Sequence, residues 1–423
     1  MVRLDFESGG EVDAAASVRA LSPPPPAVEA DVRAIVRAVR GLGDAAVRDL
    51  TARFDGADVP PERLRVSREE IEAATRALEP SLSGALGTTM DNVDQVARAS
   101  LGEGTTVSLP EGQKVEIAEL PVRRAAAYVP GGRAPYASTV VMCAVTARVA
   151  GVEELAVCAP PGPDGEAHPI ILGACGLCGV EEVYRMGGAQ AIAALAHGTD
   201  SVPAVDVIVG PGSAWVQEAK RQAVGTVGID GVAGPSELVV VAAAGADAEL
   251  AALDLLAQAE HGPASLLALV SDDPALLDGV ERKVEGASAS EPAADGPPLA
   301  LVRAPDSRAA VRVGDLIAPE HLELVGEEVE ARAGGVRSAG AVFVGRDAGT
   351  AFGDYVAGSN HVLPTGGAAR HASALSVETF RRRMARVTLA GGAAASLAGA
   401  GAALARAEGF VVHAESMERR ATA

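Results

Sequence analysis

From about residue 122 to residue 344 the chain repeats one grammar: a short Val/Ala/Leu-rich run, a turn bearing Gly or Pro, then a run with helical spacing. Such alternation implies a parallel sheet, because parallel neighbours need a crossover and a helix is the usual one. Strands are predicted at Arg124–Val129, Leu155–Ala159, Val183–Met186 and Val205–Val209, with helices at Ser138–Ala150, Pro169–Cys178, to Ala196 and to Arg221. After Gly234-Pro235 the pattern resumes with strands at Leu238–Ala242, Ser265–Val270, Leu299–Val302 and a last one at Ala341–Val344. Between them a helix runs from the cap Asp247 to His261 and another from Arg308 to Ile317, and Asp272 and Pro274 are placed to start a third. The expected fold is α/β: two doubly wound parallel-sheet, incomplete Rossmann-like units with helical N- and C-terminal segments.

Before residue 122 the pattern differs. Residues 1–22 read as a short polar–apolar segment, ended by the stiff run Pro23 to Pro26. Val28, Val32, Ile35, Val36 and Val39 recur at helical spacing, and further helices are expected around Arg68–Leu78 and Leu82–Ala99. Residues 285–298 read as an exposed, mobile loop, and the tail from about Ser376 reads as helical.

Bulk properties narrow the function classes. A formal net charge of −20 argues against a nucleic-acid partner, which needs a concentrated basic footprint. Arg381, Arg382 and Arg383 are the only dense basic run, and a solvated helix face accounts for them. Val387 to Ala405 carries no charge, but Ala and Gly are too weakly apolar for a spanning helix, so a packed helix is expected. The N-terminus has no apolar signal region. Cys143, Cys158, Cys175 and Cys178 lie in apolar runs, as buried thiols of a cytoplasmic protein would. The Cys175/Cys178 pair sits inside a helix with no second pair, which suits neither a redox motif nor a structural zinc site.

Two groups of residues have the makings of a site. Three strand ends open into glycine turns, at Gly131-Gly132, Gly187-Gly188 and Gly210-Pro211-Gly212, directly before helices. Backbone amides there suit a phosphate, although tight turns need glycine anyway. The second group is polar: Gln258 and His261 on one helix face, Asp354 and His361 in a polar loop, Glu320 beside His321, and Glu408 and His413 in the last helical stretch. Gln, His, Asp and His make an oxygen/nitrogen set suited to zinc with open positions, yet each has an ordinary structural reading as a cap or surface group. Spacing alone does not assemble them.

At these residues the chain resembles the histidinol dehydrogenase family over nearly its full length. The segment IDGVAGPSE (229–237) looks like that family's signature. It is joined in order by YVPGGRAPYAST, GGAQAIAALAHGT, VGPGSAWVQEAK, LLAQAEHGP, APEHLEL and GDYVAGSNHVLPT. The resemblance implies an NAD-linked enzyme that oxidises L-histidinol to L-histidine, the last step of histidine biosynthesis, with one zinc ion per subunit. It implies Gln258, His261, Asp354 and His413 as metal ligands and Glu320 and His321 as the acid–base pair. Ser236, Glu237, His361 and Glu408 are implied as substrate contacts beside the metal ligands and His321, and Tyr128, Gln190 and Ser213 as the dinucleotide site. A homodimer is implied, its C-terminal segment crossing to the neighbour's active site. On this reading residues 1–24 are an N-terminal segment, and 25–127 with 236–375 form a discontinuous metal- and substrate-binding unit. Residues 128–235 form the dinucleotide unit, and 376–423 the crossing tail.

Some positions depart from the family pattern: Ser213 stands where Asn is usual, His197 where an aromatic is common, and Thr350 where many relatives carry Glu. None of the implied ligands or acid–base residues is altered. Three other readings compete: a dehydrogenase of another amino alcohol or diol, a zinc hydrolase using Glu320, and a non-catalytic binding protein.

Overall fold

The computed structural model describes residues 1–24, 26–131, 134–290 and 296–422. Its strands, in chain order, are β1 (Val2–Asp5), β2 (Thr105–Ser108), β3 (Gln113–Pro121), β4 (Arg124–Tyr128), β5 (Glu154–Ala159), β6 (Glu182–Arg185) and β7 (Val207–Val209). They continue with β8 (Gly228–Ile229), β9 (Glu237–Ala242), β10 (Leu266–Ser271), β11 (Leu299–Arg303), β12 (His321–Val325), β13 (Ala341–Val344) and β14 (Arg381–Leu389).

Two all-parallel sheets result, as the alternation requires. One has the order β6-β5-β4-β7-β8, the other β1-β11-β10-β9-β12-β13. Helices cover both faces of each. Val239, Val241, Leu322 and Leu324 are fully buried on one face of the larger sheet and Leu238 and Val240 on the other. Each such side chain contributes roughly 1.5–3 kcal/mol on leaving water.

Several expectations are corrected by the packing. Residues 1–22, read as a short polar–apolar segment of their own, are part of the larger layer: β1 extends the six-stranded sheet beside β11, and the helix Glu11–Arg19 buries Ala14, Ala15 and Val18 against it. The helices between Glu29 and Ala99 bury their apolar stripes on the five-stranded sheet and not on the six-stranded one, although Asn92 donates to the Val356 carbonyl at 2.7 Å. Val32, Ile35, Val39 and Val47 join Ile192 and Ile208 on one face of the five-stranded sheet, and Ile71, Leu86 and Val93 join Val140 and Ile171 on the other. The apolar stripes were legible, but which sheet they cover is a tertiary matter.

A strand was missed at β12. Leu322 and Leu324 alternate with His321 and Glu323, and all four are buried, so the polar members disguise a central strand. Asp273, not Asp272, caps the helix Pro274–Ser290. That helix covers residues expected in a loop, while residues 291–295 of that loop lie outside the described residues. So do Pro25 of the proline run and Gly132 of the first glycine turn.

The tail is not wholly helical. Arg381–Arg383 begin β14, which pairs antiparallel with β3 in a three-stranded sheet also missed from sequence. There Arg383 faces Glu119 at 2.6 Å and Arg386 faces Glu116 at 2.7 Å, so cross-strand pairing rather than a helix face explains the basic run. Val387 to Leu389 belong to this strand, and the uncharged stretch turns helical only from Ala393. The helices Ala393–Ala407 and Val411–Ala421 pack on each other through Ala402, Ala405, Ala414 and Met417.

Candidate active site

A cleft of about 1140 Å³ lies between the two parallel sheets. On one wall are Gly210 to Ala214, at the carboxyl end of β7; on the other are Ser236, Glu320 and His321, at the amino ends of β9 and β12. His261, Asp354 and His361 complete the second wall, and Pro23, Pro24 and Pro26 border the cleft.

Glu320 and His321 form the centre of a continuous polar chain. Ser236 donates its hydroxyl to Glu320 Oε2, which also accepts the N–H of Glu237 at 2.8 Å, and Gln258 donates Nε2 to the Ser236 oxygen. His321 Nδ1 lies 3.1 Å from the Glu237 carbonyl and 3.5 Å from Glu320 Oε2, while Nε2 faces Asp354 Oδ1 at 3.3 Å. That last contact is close but too poorly aligned for a hydrogen bond, so Nε2 is a buried nitrogen without one. Burial disfavours a charged ring here, but the Glu320 and Asp354 carboxylates outweigh it and raise the His321 pKa to about 9. Burial pushes the Glu320 carboxyl up, against the His321 charge and the two donors that favour its anion.

Asp354 is not in a loop. It lies in the short helix Thr350–Tyr355, begun by Thr350, whose N–H (2.7 Å) and hydroxyl (2.5 Å) both bind the Glu323 carboxylate. Desolvation lowers the pKa of the half-buried His361; its Nδ1 meets the Asp354 carbonyl at 2.8 Å and its Nε2 the Thr139 hydroxyl at 3.0 Å. Since Thr139 belongs to the helix Ala137–Ala150 on the five-stranded sheet, His361 links the two walls.

Gln258 and His261 do not share a helix face, because the helix Ala248–Ala259 ends first, with Glu260 as its cap. His261 continues the turn through its N–H to the Gln258 carbonyl at 3.3 Å, and burial lowers its pKa against the pull of Asp354. Glu408 and His413 do not share a helix either: Glu408 caps one tail helix, Gly409 turns the chain, and His413 lies in the next. Both are exposed and neither lines the cleft. Among the described residues no three His, Cys, Asp or Glu side chains come together as a metal cluster within one chain. Glu237 also stays out of the cleft, buried with both oxygens engaged by Arg19, Glu320 and Gly366.

At the other wall β4 and β7 are neighbours, the point where the strand order reverses, and there open α/β sheets bind ligands at the carboxyl ends. Gly210 has φ +112°, and a Cβ there would lie 2.1 Å from the Tyr128 carbonyl oxygen. Tyr128 is buried with its hydroxyl accepting the Gly188 N–H at 3.2 Å; Gln190 is buried and donates to Asp55 at 3.3 Å. Asp55 was not singled out from sequence, and burial raises its pKa to about 6. Ser213 begins the helix Ala214–Ala223 without a side-chain cap and lines the cleft. The four cysteines are buried and reduced, and burial pushes the Cys178 thiol up to about 12.

The histidinol dehydrogenase family model matches residues 24–421. The chain belongs to the histidinol dehydrogenase family. It is 45% identical to the histidinol dehydrogenase of a Synechococcus strain over 93% of this chain and 92% of that one. With that of Gluconobacter oxydans it shares 42% identity over 99% of both chains. The crystal structure of histidinol dehydrogenase from Elizabethkingia anophelis superposes with a TM-score of 0.91 at 30% identity, covering 99% of this chain and 98% of that one. The chain is therefore an oxidoreductase of histidine biosynthesis that converts L-histidinol to L-histidine. The hydrolase, binding-protein and other-alcohol readings are not favoured.

Proposed function

We propose that oxidation proceeds in two hydride transfers to NAD, through bound histidinal, in a cytoplasmic homodimer holding one zinc ion per subunit. The observation that carries this reading is the polar chain Gln258–Ser236–Glu320–His321–Asp354, facing the glycine turn at Gly210 across one cleft. Gln258, His261 and Asp354 fit zinc in donor type: with its amide nitrogen turned to Ser236, Gln258 keeps its carbonyl oxygen for a cation. Zinc, when bound, would polarise and orient the amino alcohol. The fourth ligand of the set, His413, is exposed beside Phe410, Val411 and Val412, which are 54%, 59% and 75% exposed. An apolar surface of this kind on a two-helix tail supports its docking on a second copy, which would bring His413 and Glu408 to the neighbour's cleft.

In this reading His321 takes the alcohol proton in its neutral form, which its raised pKa of about 9 makes abundant only toward alkaline pH, as hydride leaves for the nicotinamide. Glu320, buried and held by Ser236 and Glu237, then draws a proton from the water that hydrates the aldehyde, and a second NAD accepts the second hydride. Tyr128, Gln190 and Ser213 serve the dinucleotide; Ser236, His361 and Glu408 serve the substrate. Zinc-loaded protein given L-histidinol and NAD should form two NADH per histidine. One NADH per turnover, with aldehyde released, would refute the two-step reading.

A further inference from the structure

Glu237 binds both members of the acid–base pair at once. Its N–H reaches Glu320 Oε2 (2.8 Å), its carbonyl faces His321 Nδ1 (3.1 Å), and its side-chain Oε2 accepts the Glu320 N–H (3.2 Å). Its other carboxylate oxygen accepts the N–H of Gly366 at 3.0 Å. Such a residue orients its neighbours only if it is itself immobile, and the group that immobilises it comes from the other end of the chain. Arg19, the last residue of the helix Glu11–Arg19, lays both Nη atoms on the two Glu237 oxygens.

The same guanidinium binds the backbone that leads into the pair. Arg19 Nε donates to the Ile317 carbonyl and Nη2 to the Ala318 carbonyl, both at 2.7 Å. Ala318 is the only non-glycine residue with positive φ among the described residues, at φ 53° and ψ 59°, and it is fully buried. An L-residue with a Cβ resists this left-handed conformation, and glycine is the usual occupant of a helix end of this kind. It also leaves helix-end carbonyls needing donors, which Arg19 supplies. Two and three residues later stand Glu320 and His321.

We infer that Arg19 is a positioning residue for the acid–base pair. One planar guanidinium fixes the strained turn at Ala318 and the carboxylate of Glu237, and through them the aim of Glu320 and His321. Arg19 lies outside residues 24–421, which the family model matches, and it touches neither the cleft nor the proposed ligands. The inference rests on the acid–base reading of Glu320 and His321.

The test compares steady-state kinetics of the full-length, zinc-loaded protein with those of Arg19→Ala. The kcat for histidinol should fall roughly ten- to a hundredfold, the scale for misplacing a catalytic group by about an ångström. The KM for NAD and the zinc content should stay within about twofold of native. Adding Ala318→Gly to Arg19→Ala should return part of the lost kcat, because glycine adopts the left-handed turn without help. A merely structural role would lower the melting temperature and leave kcat per folded molecule native, and that result overturns the inference. If Arg19→Ala does not fold, Arg19→Lys keeps the charge but cannot span four acceptors in one plane, and its native kcat would overturn the inference equally. His321→Ala is measured alongside. Full turnover there removes the acid–base reading and this inference with it; loss there with full turnover in Arg19→Ala removes this inference alone.

Discussion

The two parallel sheets share a strand order, β6-β5-β4-β7-β8 in one and β11-β10-β9-β12-β13 in the other, yet they meet the cleft with opposite ends. The five-stranded sheet presents carboxyl ends, where Tyr128 runs toward Gly131 and Val209 into Gly210. There the backbone is the working surface, and glycine lets it come close. The six-stranded sheet presents amino ends, where Ser236 and Glu237 enter β9 and Glu320 and His321 enter β12. There side chains from separate segments lean on one another. One topology thus supports two kinds of site, and each leaves a different mark in the sequence. A backbone site needs a local run of glycines; a side-chain site needs partners scattered along the chain.

The comparison is most open to attack at the side-chain end. His321→Ala should lower turnover by roughly 10²–10⁴-fold, the scale for removing a general base, with the fold and the dinucleotide KM kept. Near-normal turnover would place the chemistry elsewhere. At the backbone end, Gly210→Ala forces a Cβ against the Tyr128 carbonyl at positive φ. It should cost about 1–3 kcal/mol in denaturant unfolding and weaken dinucleotide binding, with zinc content retained. Equal loss of zinc and dinucleotide would show that the two ends are not separable.

The smallest effect concerns a carboxylate on the same face of β12 as His321. Burial, then the charge of Asp254, push Glu323 up to about 7 from its ordinary 4.5. The folded protein therefore holds this proton more tightly than the unfolded chain. The stability it contributes is full below about pH 4.5 and is lost as pH rises through 7. Unfolding free energy should decline across that window by less than about 1.4 kcal/mol per pH unit, the limit for one proton. In Glu323→Gln the decline should flatten, and an unchanged slope would assign the proton to another group.

Much of the architecture was legible because it depends on neighbours in sequence. Strands β4 to β7 and β9 to β11 follow from apolar runs between turns, and Asp247 caps its helix as its position implied, accepting the Glu249 N–H at 2.9 Å. Strand β12 escaped because two of its inward positions carry His321 and Glu323, whose burial is tolerable only with Asp354, Glu237 and Thr350 as partners. The three-stranded sheet escaped because β14 finds β3 across more than 260 residues, and its arginines read as a solvated face until Glu116 and Glu119 stand opposite. The family motifs named Glu320, His321, Gln258, His261 and Asp354, but no spacing pointed to Arg19.

By itself the sequence determined the alternation of strand and helix, hence two parallel sheets, the glycine turns at one sheet's carboxyl ends, and the family. Propensity, capping and turn chemistry act over a few residues, so a local reading recovers them. Only the tertiary structure decided which helices cover which sheet, which strand ends face the cleft, and that His413 stands apart from the other ligand-type residues of its own chain. It alone joined Arg19 to Glu237 and Ala318, across 218 and 299 residues. Such contacts form between side chains whose buried polar groups must find partners wherever the fold brings them, and distance along the chain carries no record of that.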